Sequence, residues 1–285
     1  MVATLFVIAI ALAAIAATVF ALARRRWDAA TAGLRDRLLA CPAPRSIFGA
    51  PLLAALPAPV ARYLRAVLRD GEPIPRQVRI DWAGEFNLGK LGADRWVPFT
   101  ARQYFVPAAP GFVWEARMRM LGLTVDVRDS FVDGEGAMLG RLLGMATVVD
   151  RRGGDDLAVA ALQRYLGEAI WLPAALLPAA GVQWQAIDAQ RARATIEAGA
   201  ISATLEFRFG ADGRVESVHA ASRTYDDGRS APSQHPWQAR VLRYGEVDGA
   251  TVPVEAVVEW LLPTGAFAYW RGRPLRIAVG DAASG

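Results

Sequence analysis

Few side chains in this sequence are spaced for chemistry, and the best placed is Glu168. Arg164 stands four residues before it, and Tyr165 and Trp171 lie three residues to either side. On a helix the Arg164–Glu168 spacing makes a surface ion pair of ~0.2–0.5 kcal/mol. The same helix would carry Tyr165, Glu168 and Trp171 at i, i+3 and i+6, within roughly one face, where they could form a pocket mouth. As a catalyst, Glu168 would need a raised pKa and a second polar group nearby. Asp155 and Asp156, just upstream, stand where helix N-caps are found.

Other chemistries find less support. Two histidines, His219 and His235, and one cysteine, Cys41, have no metal-ligand spacing. His219 reads as a strand residue, and His235, before Pro236, as a solvated loop residue. No Gly-x-Ser-x-Gly elbow is present. Gly134, Gly136 and Gly140 fall at a hairpin, not at the strand-to-helix turn that a nucleotide loop requires. No cofactor and no metal are expected. Among nine tryptophans, Trp82, Trp114, Trp184 and Trp260 take apolar strand positions. Trp96, Trp171 and Trp270 sit in less regular settings suited to an amphipathic ligand, and Arg271 and Arg273 beside Trp270 offer a cation–π or anion-binding corner. The candidate ligand-binding set is Tyr165, Glu168, Trp171, Trp96, Trp270 and Arg271.

The elements that must position these residues follow from hydrophobic period. Residues 157–178 are apolar and helical in pattern, broken by Pro173, and lie between two runs of period-two alternation. Val78, Ile80, Trp82 and Phe86 alternate with Arg79, Asp81 and Glu85. Leu123, Val125, Val127 and Phe131 alternate with Thr124, Asp126, Arg128 and Ser130. Ile201 to Phe209 and Val252 to Trp260 repeat the pattern. Such alternation means antiparallel strands with one apolar face. Asp133–Gly134, Asp212–Gly213 and Asp248–Gly249 suit tight hairpins, and Asp227–Gly228 falls in a longer polar loop. About ten or eleven strands result, without intervening helices, which excludes a doubly wound sheet. The predicted fold is mainly β (α+β): a strongly curved antiparallel sheet or incomplete barrel, with residues 157–178 as a helical insert. That insert either plugs or roofs the concave face.

Charge and hydropathy place the chain at a membrane. Residues 2–23 carry no charge and, at ~1.5 Å per residue, are long enough for the ~30 Å hydrocarbon core. A secretory signal fits less well, since no Lys or Arg precedes the run and its apolar stretch exceeds the ~7–15 residues of such signals. The net charge of +4 comes from residues 1–46, with six arginines against two aspartates, leaving 26 basic and 26 acidic residues elsewhere. A nucleic-acid binder would carry its excess on the folded part, so no nucleic acid is expected. Arg24, Arg25 and Arg26, on a helix continuing out of the bilayer, put the main body in the cytoplasm by the positive-inside rule. Cys41 follows a Leu-Leu-Ala tripeptide, but the charged residues before it separate it from the apolar run, against an acylation box. The expected divisions are a membrane helix (2–23), a basic segment and Pro/Ala-rich linker (24–56), one β domain (57–278) that opens with a short amphipathic helix, and a disordered tail (279–285).

Several blocks resemble a known family. Trp96–Val97–Pro98–Phe99–Thr100–Ala101 with Gln103, Pro110–Gly111–Phe112–Val113–Trp114, Arg164–Tyr165 with Glu168, Trp171 and Pro173, and Tyr269–Trp270–Arg271–Gly272–Arg273 are similar to those of an uncharacterised bacterial family of single-pass membrane proteins, a domain of unknown function. That resemblance implies no activity. More loosely, strands, helical insert and strands are similar in topology to lipoprotein-localisation (Lol-type) carriers, whose open barrel with a helical lid takes acyl chains. This likeness implies a body outside the cytoplasmic membrane, opposite to the arginine flank. The expected function is a membrane-anchored β domain holding a lipophilic ligand, a lipid or acyl chain, as carrier or sensor. A non-catalytic scaffold docking a protein partner is the alternative, and a hydrolase-like enzyme centred on Glu168 a third.

Overall fold

Alternating side chains bury one face of each strand only when neighbouring strands align in register, and here that condition produces one large sheet. The computed structural model describes residues 1–41, 46–107, 109–120, 122–226 and 231–280. Among them are thirteen strands: β1 (Gln77–Asn87), β2 (Trp96–Val106), β3 (Gly111–Met120), β4 (Leu123–Val132), β5 (Glu135–Leu142), β6 (Ala146–Arg152), β7 (Gln183–Ala186), β8 (Arg191–Ala198), β9 (Ile201–Phe209), β10 (Val215–Tyr225), β11 (Ser233–Val247), β12 (Ala250–Leu262) and β13 (Gly265–Gly280). Their order is β6-β5-β4-β3-β2-β1-β13-β12-β11-β10-β9-β8-β7, antiparallel throughout. The sheet curls into a half-barrel, so the fold is mainly β, as the alternation predicts. The thirteen strands exceed the expected ten or eleven, and the edge strands β6 and β7 bury no side chain.

The topology dictates where the insert runs. The chain starts at the sheet centre, meanders to the β6 edge, and resumes at the opposite edge, β7. The segment joining the two edges must cross the concave face. It does so as α3 (Asp155–Glu168) and three short 3₁₀ turns, Ala169–Trp171, Pro173–Leu176 and Pro178–Ala180. Pro173 and Pro178 each open a new turn, because proline cannot donate within a helix but is tolerated at its start. α3 touches β3, β4 and β5 on one wing and β9 and β10 on the other. Its N-cap is Gly154; Asp155 and Asp156 lie inside the first turn, where they act on the helix dipole and not as caps. Leu162, Leu166, Ile170, Leu176 and Leu177 are at most 1% exposed, so the insert fills much of the concavity as a plug. α2 (Ala58–Val67) closes it from below through Val60, Tyr63 and Leu64.

Two sequence expectations shift. Tyr225 ends β10 and His235 belongs to β11, paired with Arg223, so much of the expected polar loop is strand; Asp227 and Gly228 lie outside the described residues. The strand β13 continues to Gly280, two residues into the expected tail, and residues 281–285 lie outside the described residues, as do Pro42 and Pro44 of the expected linker.

α1 (Val2–Leu39) is one unbroken helix of 38 residues. Its apolar half is long and apolar enough to cross a membrane by length and composition, with a mean hydropathy of 2.8 and none of that stretch buried. Its second half lies on the convex face along β4. Arg24 Nη1 reaches Asp126 at 2.7 Å, Arg128 donates to Thr31 Oγ1 at 2.7 Å and stacks on Trp27, and Arg37 reaches Asp133 at 2.6 Å. Helical rise covers Arg24 to Arg37 in ~20 Å, and strand rise covers Asp126 to Asp133 in ~23 Å, so the two ladders keep step. Leu38 buries against Val106, Val113 and Val132. Arg24 and Arg37 are therefore fastened to the sheet.

Candidate functional site

Strand register assembles a polar row on the concave face. Ile80 lies opposite Gln103, Gln103 opposite Trp114, Trp114 opposite Asp129, Asp129 opposite Met138 and Met138 opposite Arg151. Gln103 and Asp129 are thus polar residues on the apolar side of their strands. α3 lowers two charges onto them. Gln103 Nε2 donates to Glu168 Oε2 at 2.7 Å, Arg164 Nε donates to Glu168 Oε1 at 2.8 Å, and Arg164 Nη1 donates to Asp129 Oδ2 at 2.5 Å. The Arg164 guanidinium also packs over Phe112 and Trp114, 4.8 and 5.1 Å from their ring centroids. Burial works against its charge, but Glu168 and Asp129 outweigh burial and hold it more firmly protonated than usual. Both oxygens of Glu168 are occupied by donors, the geometry of a counter-charge.

Ala101, Ala116, Val127 and Gly140 form the next row across β2 to β5, small side chains beside the buried Trp82 of β1. Phe86, Met120, Leu142 and Tyr269 around it are only partly buried. Tyr269 stacks on Trp260, accepts the Trp237 indole N–H at 3.0 Å, and neighbours Phe86. Against these rings lies Arg223, its guanidinium 4.8 Å from the Trp237 centroid and 5.7 Å from that of Trp260. Its Nη2 donates to the Ala160 carbonyl at 3.1 Å. Its Nε and Nη1 are buried and meet no acceptor among the described residues. Burial, reinforced by Arg164, lowers its pKa against the opposing pull of Tyr269, Asp129 and Glu168, yet an arginine remains cationic. Gln103 Oε1 and Trp82 Nε1 are likewise buried without a partner. Arg223 is therefore a half-buried residue whose guanidinium, its Nε and Nη1 covered, contacts no carboxylate among the described residues, a costly arrangement.

The six sequence-predicted residues divide between the two faces of the sheet. Tyr165 is fully buried at the insert's base and donates to the Val106 carbonyl at 3.2 Å; burial pushes its phenol pKa up. Trp171 and Trp270 join Trp82 in an edge-to-face cluster with centroids 5.0–6.3 Å apart, and Trp171 donates to the Pro253 carbonyl at 2.7 Å. Glu168 sits in the polar row. Trp96 and Arg271 lie on the convex face, because Arg271 alternates with Trp270 along β13. There Arg271 stacks 4.2 Å from Trp96 and pairs with Glu85 at 2.6 Å. Sequence reasoning missed Gln103, Asp129 and Arg223. The signal for Asp129 was present as an interruption of the apolar set between Val127 and Phe131.

With the geometry in place, comparison with known proteins adds the following. A LolA superfamily protein from Nitrosomonas europaea is similar in structure, with 8% identity over 73% of this chain and 88% of that one, at a TM-score of 0.39. A beta-barrel-like protein of the domain of unknown function DUF1849 from Brucella abortus aligns with 12% identity over 73% of this chain and 98% of that one, at a TM-score of 0.21. No curated protein matches the chain. Residues 46–272 match the family of unknown function DUF6544, and the chain belongs to that family.

Proposed function

We propose that the protein is a membrane-anchored β domain that binds an anionic amphiphile at the open mouth of its half-barrel. The observation that carries this reading is Arg223: a half-buried residue whose guanidinium is wedged against tryptophan rings, with two covered N–H donors that no group among the described residues accepts. An anionic head, carboxylate or phosphate, would satisfy those donors. The partly exposed apolar rim of Phe86, Met120, Leu142 and Tyr269 would take the chain. Since Nε and Nη1 are covered, binding requires a side-chain shift in the Trp237–Trp260 wall. Arg164 is already neutralised by Asp129 and Glu168 and serves as scaffold. The exposed apolar half of α1 supports membrane anchoring, and Arg24 to Arg26 beyond it favour a cytoplasmic body.

The test is native mass spectrometry of the full chain in detergent, titrated with oleate. Wild type should retain the acyl anion, and Arg223→Met should weaken retention about 30-fold, the equivalent of ~2 kcal/mol for one lost charge-assisted contact. A wild-type protein that takes up no oleate overturns the reading. A second reading, a scaffold that docks a protein partner, is favoured by one observation: the plug occupies concave space that a hollow carrier would leave free. A carboxy-terminal reporter fusion reads the side of the membrane directly.

A further inference from the structure

A second feature lies on the opposite, convex face, where the apolar run of α1 ends. Between α1 and the ends of β2, β3 and β4 is a cleft of about 580 Å³. Its polar wall consists of Arg24, Arg117, Arg119, Thr100 and Thr124, and its apolar wall includes Phe20 and Leu143. The one carboxylate in the lining, Asp126, is shared by Arg24 at 2.7 Å and Arg117 at 3.4 Å. Arg119 has no ion pair among the described residues and is exposed. Three guanidiniums against one carboxylate leave a charge of +2, or +1 once Asp28, which pairs with Arg24 from outside the cleft, is included. That surplus suits a singly charged anion.

Position identifies the kind of anion. Phe20 is in the apolar run and Arg24 is its first charge, so the cleft straddles the depth at which hydrocarbon gives way to headgroups. The β5–β6 turn lies at the same level, since a Cβ on Gly144 would meet the Arg24 backbone at 3.8 Å. This turn is unusual in composition. Asp133–Gly134 and Asp248–Gly249 have two successive positive φ angles, 54° and 80°, 48° and 81°; Leu143–Gly144 has the same pair, 53° and 72°. Leucine is disfavoured in that conformation, whereas aspartate tolerates it. The two hairpins with aspartate lie away from the α1 exit, and the one with leucine lies beside it. Leu123, Met145 and Val148 nearby are 44%, 42% and 58% exposed.

We infer that this cleft holds the headgroup of an anionic phospholipid, with the phosphodiester between Arg117, Arg119 and Arg24. The hydroxyls of Thr100 and Thr124 face the same space, and an acyl chain descends along Phe20 while Leu143 and Met145 enter the interface. The inference rests on the membrane anchoring read from α1 and is independent of the half-barrel mouth. The full chain is reconstituted in vesicles of phosphatidylcholine alone or with phosphatidylglycerol, and lipid retained by the protein is counted by native mass spectrometry. Phosphatidylglycerol should be retained in preference to phosphatidylcholine. Loss of each arginine should weaken that preference about fivefold, and Arg117→Gln with Arg119→Gln about 30-fold. Arg117→Lys with Arg119→Lys should keep most of it, and unchanged circular dichroism shows that folding is intact. Equal retention of the two lipids by protein that floats with the vesicles overturns the inference while leaving the anchor standing. Protein that does not float overturns the anchor itself. Inorganic phosphate bound with the same arginine dependence, without phosphatidylglycerol retention, would assign the cleft to a free anion and overturn the lipid.

Discussion

Replacing Arg164 with methionine tests whether the polar row is a structural charge cluster. The side chains of Arg164, Asp129 and Glu168 are only 16%, 19% and 20% exposed. Methionine fills a similar volume and keeps contact with Phe112 and Trp114, but it strands two carboxylates beside Gln103. Breaking a buried pair costs ~3–5 kcal/mol, and the residual exposure puts this site at the lower end, about 3 kcal/mol. For a folded body of this size ~1 kcal/mol lowers Tm by ~2–4 °C, so Arg164→Met should lower Tm by roughly 6–12 °C by near-UV circular dichroism in detergent. The triple variant Asp129→Asn, Arg164→Met, Glu168→Gln removes the charges together and should return to within about 1 kcal/mol of wild type. A single variant that loses less than about 2 °C would refute the reasoning, because the carboxylates would then be solvated well enough to stand alone. A triple variant as unstable as the single one would refute it equally.

Other perturbations probe separate features. Glu115 lies on the convex face of β3 opposite Arg102 and Arg128. Burial raises its pKa above 4.5 although Arg35, Arg102 and Arg128 pull it down. A carboxyl raised in the folded state contributes stability that is complete below its unfolded pKa and lost as pH rises through the folded value. Glu115→Gln should therefore raise Tm at pH 7 and leave it unchanged at pH 4; a lower Tm at pH 7 would show that the arginines dominate. Leu143→Asn should stabilise the fold by about 1 kcal/mol in detergent by relieving the positive φ, while reducing phosphatidylglycerol retention; loss of stability would mean that Leu143 is a packing residue. Gly84→Ala should cost about 3 kcal/mol, because a Cβ there meets the Arg271 carbonyl at 2.3 Å and Phe99 at 2.7 Å. Trp171→Ala should cost ~3–5 kcal/mol and dim the aromatic circular dichroism of the Trp82–Trp171–Trp270 cluster, and an unaltered spectrum would count against that packing.

The candidate site was legible only in pieces. The pairing of Arg164 with Glu168 on one helix follows from helical spacing, but the pair lies largely buried on the concave face and not on the surface, where spacing alone put it. Asp129 was visible only as a gap in the apolar face of β4, and its meaning depends on Arg164 arriving from above. Arg223 escaped alternation for a definite reason. A bulge between Ala220 and Arg223 shifts the register against β11, so the concave face passes from even to odd residues and parity cannot be carried through. Arg271 meets Trp96 and not the Trp270 beside it, because neighbours on a strand take opposite faces, and the pair lies on the face away from the insert.

By itself the sequence determined the apolar run of α1, the period-two strands with their Asp-Gly turns, and the proline-broken insert, because these depend on spacings of a few residues. Period two fixes which face a side chain takes, not which strand lies beside it. That β1 pairs with β13, almost 200 residues away, that the insert becomes a plug joining opposite edges, and that the second half of α1 lies along β4 were decided by tertiary structure. Those choices place the charges of Arg164 and Arg223 inside the half-barrel and gather Arg24, Arg117 and Arg119 around one cleft. Electrostatic groups from distant segments meet only after the sheet has formed, and no local pattern encodes the meeting.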